Sequence, residues 1–291
     1  MALLVLAACS TIKLAYRNLD VYLEWKADGY FSLDDQQREL LKAGLDATTA
    51  WHRREELSRY TAVLLEARNR VGGAVTEEDI DWLLASARDR YDALARYAAP
   101  RAARVLSSLS PEQIAHFETA LKHENQTFAE EYVDVPVDVQ RRRRCERTIE
   151  LMEEWVGPLS AQQHTRMEQL SSDIPLANAL RLEDRQRRQQ ALIGLLRRQQ
   201  AAGSLAPELE AWMLEWDQGR SAEYEALTRA TRQQMVAMVV ELQHSLSPTQ
   251  RERLQARLER YARDFDALAP PSARHAEAGT ALVLLEPRVS R

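Results

Sequence analysis

Four places in the chain bring together residue types that could act chemically. Trp51-His52-Arg53-Arg54 sets an aromatic ring, an imidazole and two guanidiniums on one or two helical turns. Such a group could clamp a phosphate or a carboxylate. Glu55 and Glu56 follow at once, so internal ion pairs are the simpler expectation. Asn125 sits in an apolar helical stripe, between Leu121 and Phe128. If buried it needs partners, since an unsatisfied amide costs about 1–3 kcal/mol. It reads as a polar site inside a bundle or, in preference, as a residue that fixes helix register. Arg141 to Arg144 is the strongest basic run. It could meet the phosphates of anionic lipid or lipopolysaccharide. Consecutive helical residues point around most of the circumference, however, and Glu146 and Glu150 lie close, which favours a solvated helix. His116 and His123 share a helix face, but two turns, about 10.5 Å of rise, are too far apart for one metal ion. No metal site is expected.

Other catalytic signatures are missing from the sequence. There is no G-x-S-x-G, P-loop, dinucleotide fingerprint or C-x-x-C. The adjacent carboxylates Asp34-Asp35 and Glu153-Glu154 would point apart on a helix and could not be aimed at one bond. An enzyme is not expected, nor a cofactor. Cys145 falls on the stripe Val139, Cys145, Ile149, Met152, Val156 and reads as core rather than nucleophile. The net charge of −5 over 291 residues implies no polyelectrolyte partner, so nucleic acid is not expected.

The elements that must position these residues read as helices. Good helix formers dominate, and Gly and Pro are scarce. Ile80, Leu83, Ala87, Tyr91, Leu94 and Ala98 recur at three- and four-residue spacing, one face of a helix. A helix is expected from Thr11 to Trp25, and a long one from Pro207 to His244 with Pro207 in its first turn. Breaks are expected at Gly72-Gly73, Ser107-Ser108, Asp134 to Val137, Gly157-Pro158 and Gly203 to Ala206. The expected fold is all-α, an elongated bundle of eight or more helices over residues 9–268. Residues 269–291 are expected to form a disordered tail.

Four helix starts share one pattern, a Leu, a capping residue, and Gln three residues after the cap. The pairs are Asp34 with Gln37, Ser110 with Gln113, Ser160 with Gln163, and Ser247 with Gln250. Thr76 with Asp79 is a weaker relative. Each is a capping box, in which the cap side chain accepts a backbone N–H and the Gln reaches back. Unequal spacing excludes a fixed-period solenoid. L-[ST]-x-x-Q at a helix start resembles the motif of the Spy-type periplasmic chaperones, helical cradles that hold unfolded clients on a basic concave face. This chain is longer and net acidic. The resemblance implies a holdase as the alternative function.

Leu6-Ala7-Ala8-Cys9 resembles a bacterial lipobox, with cleavage after Ala8 and lipid on Cys9. Residues 1–8 then form a signal peptide, short of its cationic start, as if the first codons were absent or mis-assigned. Ser10 rather than Asp after the cysteine leans toward the outer membrane. The stretch Cys9 to Asp20, together with Trp51 to Arg54, Arg59-Tyr60, Leu109 to Gln113, Asn125, Arg147, Trp155, Gly157, Leu159 and Gln163, resembles an uncharacterised family of proteobacterial helical lipoproteins. That resemblance implies an all-α protein lipid-anchored at the periplasmic face of the outer membrane of a Gram-negative bacterium. Its expected role is non-catalytic interaction or scaffolding, with the membrane and an envelope protein as partners.

Overall fold

All four boxes form, and they form in pairs. In the computed structural model, which describes residues 11–198 and 201–270, Asp34 Oδ1 accepts the Gln37 N–H at 2.8 Å and Gln37 Oε1 accepts the Asp34 N–H at 3.0 Å. The same two bonds close the boxes at Ser110, Ser160 and Ser247, and a Thr76–Asp79 box is also complete. Gln37 and Gln113 then bond each other through both amides. Gln37 Nε2 donates to the Ser108 carbonyl, and Gln113 Nε2 to the Ser32 carbonyl. In each case the acceptor is the residue just before the other box's leucine. Gln163 and Gln250 repeat the arrangement, donating to Ser245 and Pro158. Each amide makes all four hydrogen bonds open to it, two as donor and two as acceptor.

All regular secondary structure among the described residues is helical, with no strand. In chain order the helices are α1 (Thr11–Arg17), α2 (Leu19–Phe31), α3 (Asp35–Trp51), α4 (Leu57–Arg70), α5 (Glu77–Leu106) and α6 (Pro111–Phe128). They continue with α7 (Val137–Val156), α8 (Ala161–Asp173), α9 (Asn178–Arg197), α10 (Ala202–Leu214), α11 (Ala222–Ser245) and α12 (Pro248–Leu268). One π turn, His52–Glu56, joins α3 to α4, and a second, Ala129–Val133, extends α6.

The paired boxes divide the chain into two similar sets of four helices. In the first, α2 packs on α6 and α3 on α5; in the second, α7 packs on α12 and α8 on α11. In both, a box joins the first helix to the second and another joins the third to the fourth. The sets interleave, because α4 packs on α12 while α9 and α10 pack on α6 and α5. One core therefore combines Leu33, Ala99, Leu109, Phe117 and Leu121 with Ile193, Leu205 and Leu209. The other holds Ile149, Met152, Met167, Ile174, Met238 and Leu246.

Several expectations need correction. The helix expected over Pro207 to His244 is two helices. Gly219 takes a positive φ of 76°, and the Ser221 hydroxyl caps a new start by accepting the Tyr224 N–H. Pro207 lies inside α10 rather than in its first turn, and Gly203 to Ala206 is helix, because burying Leu205 and Leu209 against α5 extends the helix back to Ala202. On α5 the fully buried stripe is Ala95, Ala99 and Ala103, while Leu83 is exposed. Small side chains one turn apart let α3 and α10 approach closely. Thr11 to Trp25 is interrupted at Asn18. Ala269, expected to begin the tail, is buried. Ala8, Cys9 and residues 271–291 lie outside the described residues.

Candidate functional site

The π turn at residues 52–56 takes apart the Trp51 to Arg54 cluster. An extra residue in the turn shifts the helical phase, and such turns often mark functional sites. Trp51 stacks on Tyr97, with ring centroids 4.2 Å apart, and Arg101 covers the Tyr97 ring. His52 turns the other way, to hydrogen-bond the Tyr16 hydroxyl at 2.9 Å and pack against Tyr60. Arg53 lies over the Tyr16 ring, and Arg54 pairs with Glu55. Glu56 is fully buried between Arg59 at 2.6 Å and Arg90 at 3.0 Å. The internal pairs exist, but those on Glu56 come from α4 and α5 rather than from Arg53 or Arg54. Burial pushes His52 below the usual imidazole range, and raises the Tyr16 and Tyr60 hydroxyls. His52 and Arg53 form the seat that holds Tyr16, and with it α1, on the body.

Asn125 is buried on α6, and its Nδ2 donates to Gln189 Oε1 of α9 at 2.6 Å. Its Oδ1 has no partner. The bond sets α6 against α9, the geometry of a register residue. Beside it Glu124 accepts from the Tyr30 hydroxyl at 2.5 Å and pairs with Arg185 at 2.8 Å. Burial, then Glu124, pushes the Tyr30 hydroxyl up to about 12. Asn125 and the Trp51 cluster share no partner. Among the described residues no group of three or more His, Cys, Asp or Glu is placed to hold a metal.

The arginine run divides. Arg141 and Arg142 face a groove with Cys145, Glu146, Glu150, Glu153 and Glu168. Arg143 and Arg144 face a separate hollow of about 360 Å³ between α7, the start of α9, α11 and the second π turn. Cys145 is half-buried at the edge of the second core.

One surface was not anticipated. Leu14, Val21, Tyr22 and Trp25 are 62%, 68%, 52% and 66% exposed. Their spacing of seven, one and three places them along one side of α1 and α2. The opposite side of α2 packs the half-buried Ala27, Tyr30 and Phe31 against the first core, so α2 is apolar on both faces. The signal was present in the sequence as more apolar residues than one buried face needs. The two helices are fixed to the body by Lys13 to the buried Asp264 at 3.1 Å, by Tyr16 to His52, and by Thr49 to Asp20 at 2.8 Å.

Comparison with known proteins gives one family match. The model of a family of unknown function, DUF6279, matches residues 29–225, two thirds of the chain. No curated protein and no solved structure matches.

Proposed function

The chain belongs to DUF6279, a family of unknown function, and from that premise we propose that it is a lipid-anchored, non-catalytic interaction protein of the cell envelope. It lies against a bilayer through α1 and α2. The observation that carries this reading is the exposed face of Leu14, Val21, Tyr22 and Trp25, which follows the expected acylation site at Cys9 within a few residues. Trp and Tyr concentrate at the membrane–water interface, where an apolar ring with a polar edge fits both sides. A lipobox cysteine carries a diacylglycerol, and two or more acyl chains hold firmly. A rigid apolar face beside it adds to that attachment and lays the body against the bilayer. Because α1 and α2 are fixed to the body, the whole body is held at the surface, presented to an envelope partner. Among the described residues no helix is long and apolar enough to cross a membrane.

Ser10 after the cysteine favours the periplasmic face of the outer membrane. The holdase alternative draws on the boxes, whose glutamines are hydrogen-bonded inside the helix junctions and lend it no support. The test is fractionation of cells expressing Cys9→Ala, Trp25→Glu with Leu14→Glu, and the combined variant. Cys9→Ala should move the protein to the soluble periplasmic fraction, and the double change should weaken membrane retention of the acylated chain. Unchanged pelleting of the combined variant refutes the reading.

A further inference from the structure

The hollow that takes Arg143 and Arg144 is also lined by Arg147 and Arg181, against one carboxylate, Glu131. Four guanidiniums facing one carboxylate leave a local excess of three positive charges. No carboxylate lies within 4 Å of any of the four among the described residues, although Arg185, one turn along α9 from Arg181, pairs with Glu124. Arg143, Arg147 and Arg181 are exposed and Arg144 is half-buried, and each guanidinium has a contact that positions it. Arg144 donates to the Ser171 and Pro175 carbonyls at 2.8 and 3.1 Å, and Arg143 to the Glu131 carbonyl at 2.9 Å. Arg147 and Arg181 lie over the rings of Tyr132 and Phe128, at 5.2 and 5.5 Å, and among the described residues no oxygen accepts from either guanidinium. Glu146 and Glu150 face an adjoining hollow that shares Arg143 and Arg147.

Arg144 and Thr231 line the hollow, and beneath its surface the Arg144 Nε and the Thr231 hydroxyl are buried without a hydrogen-bond partner. The twenty-residue helix α9 opens into the hollow with Ala177 at its N-cap and no side chain capping it. Its free N–H groups and the positive end of its dipole therefore point where an anion would sit. The volume suits a small ligand, and the lining sets the four guanidiniums beside apolar surface from Ile174, Pro175 and Leu176.

We propose that this hollow binds a phosphate-bearing ligand. Arg147 and Arg181 supply paired N–H donors to its oxygens, Arg144 is the fixed charge at the floor, and the start of α9 caps the phosphate. Guanidinium forks match phosphate geometry bidentately. The phosphate could belong to a free small molecule or to a phospholipid headgroup, and the experiment separates these sources. The proposal does not depend on the lipid anchor.

The test measures binding of inorganic pyrophosphate to the full chain by titration calorimetry, and in parallel flotation with vesicles of phosphatidylglycerol or of phosphatidylcholine. The variants are Arg147→Gln/Arg181→Gln and, as a control that removes the same charge on the other side of α7, Arg141→Gln/Arg142→Gln. Saturable pyrophosphate binding, weakened about tenfold or more by the first pair and unchanged by the control, supports a soluble ligand. Retention selective for phosphatidylglycerol, lost in the first pair and kept in the control, supports a headgroup. Binding that falls equally in both pairs is unspecific charge attraction and overturns the site, as does no binding in either assay. Circular dichroism of each variant checks that a loss is not unfolding.

Discussion

The helices α2 and α7 hold equivalent places, each the first of its set of four and each ending in a box that pairs with another box further along. Their junctions share one bonding pattern, yet their outer surfaces differ. The first shows Val21, Tyr22 and Trp25 to solvent, and the second shows Arg141, Arg142 and Arg143 along with Val137 and Leu151. The difference separates architecture from use. The glutamine pairs are satisfied entirely by the protein and have no donor left to offer a ligand. The outer faces carry chemistry that the protein leaves unmet, apolar surface on α2 and uncompensated charge beside α7. A motif repeated with identical bonding in two places is holding the fold, and what departs from the repeat is where function is to be sought.

Replacing Gln163 with Glu tests the first half of that statement most severely. The side chain keeps its shape but loses both donors, and it sets a carboxylate against Gln250 Oε1 and the Ser245 carbonyl. A loss of about 3 kcal/mol or more is expected in urea unfolding at neutral pH. Burial raises the introduced carboxyl's pKa, so the loss should shrink as the pH falls and the group protonates. Gln37→Glu should cost a similar amount at the other junction. A large inequality between the two would mean that they are not equivalent supports.

Alanine substitutions sharpen the comparison further. Gln37→Ala with Gln113→Ala should show a coupling of about 1–3 kcal/mol in a double-mutant cycle, since both sit in one network. Gln37→Ala with Gln250→Ala, from different junctions, should add within about 0.5 kcal/mol. Strong coupling across the junctions would break the picture of two independent locks.

A smaller effect is expected from His52. Its pKa is depressed in the folded state by burial, so the unfolded chain binds the proton more readily. The stability it contributes is complete above the unfolded value, about 6.5, and is lost as the pH falls through the folded value. Thermal unfolding between pH 7.5 and 5 should show this slope, and His52→Phe should flatten it. A slope unaltered by that change assigns the acid sensitivity elsewhere.

The smallest stability effect belongs to the outer faces. Trp25→Glu and Arg147→Gln should each shift unfolding by no more than about 0.5 kcal/mol. Any larger destabilisation by Trp25→Glu would make the α2 face part of a core rather than a surface.

Local rules decided a good deal from the sequence alone. Helix content followed from propensity and spacing. The starts at Asp34, Ser110, Ser160 and Ser247 followed because a capping box is satisfied within four residues, and the link around Asp134 to Pro136 followed from proline. Whatever needs a partner distant along the chain was not legible. The break after Leu214 depends on how α10 packs, and the choice of Ala95, Ala99 and Ala103 as the buried stripe depends on the neighbours α5 meets. In the same way, Glu56 gains its partners only when α4 meets α5. The arginine run read as a solvated helix because sequence gives the angles around one helix and not what faces each. Only the tertiary structure paired Gln37 with Gln113 and Gln163 with Gln250, and brought Arg181 across to Arg144 and Arg147. Cap and propensity energies are set within a turn or two of backbone, whereas charge compensation and burial are set by whichever surfaces the interleaved helices bring together.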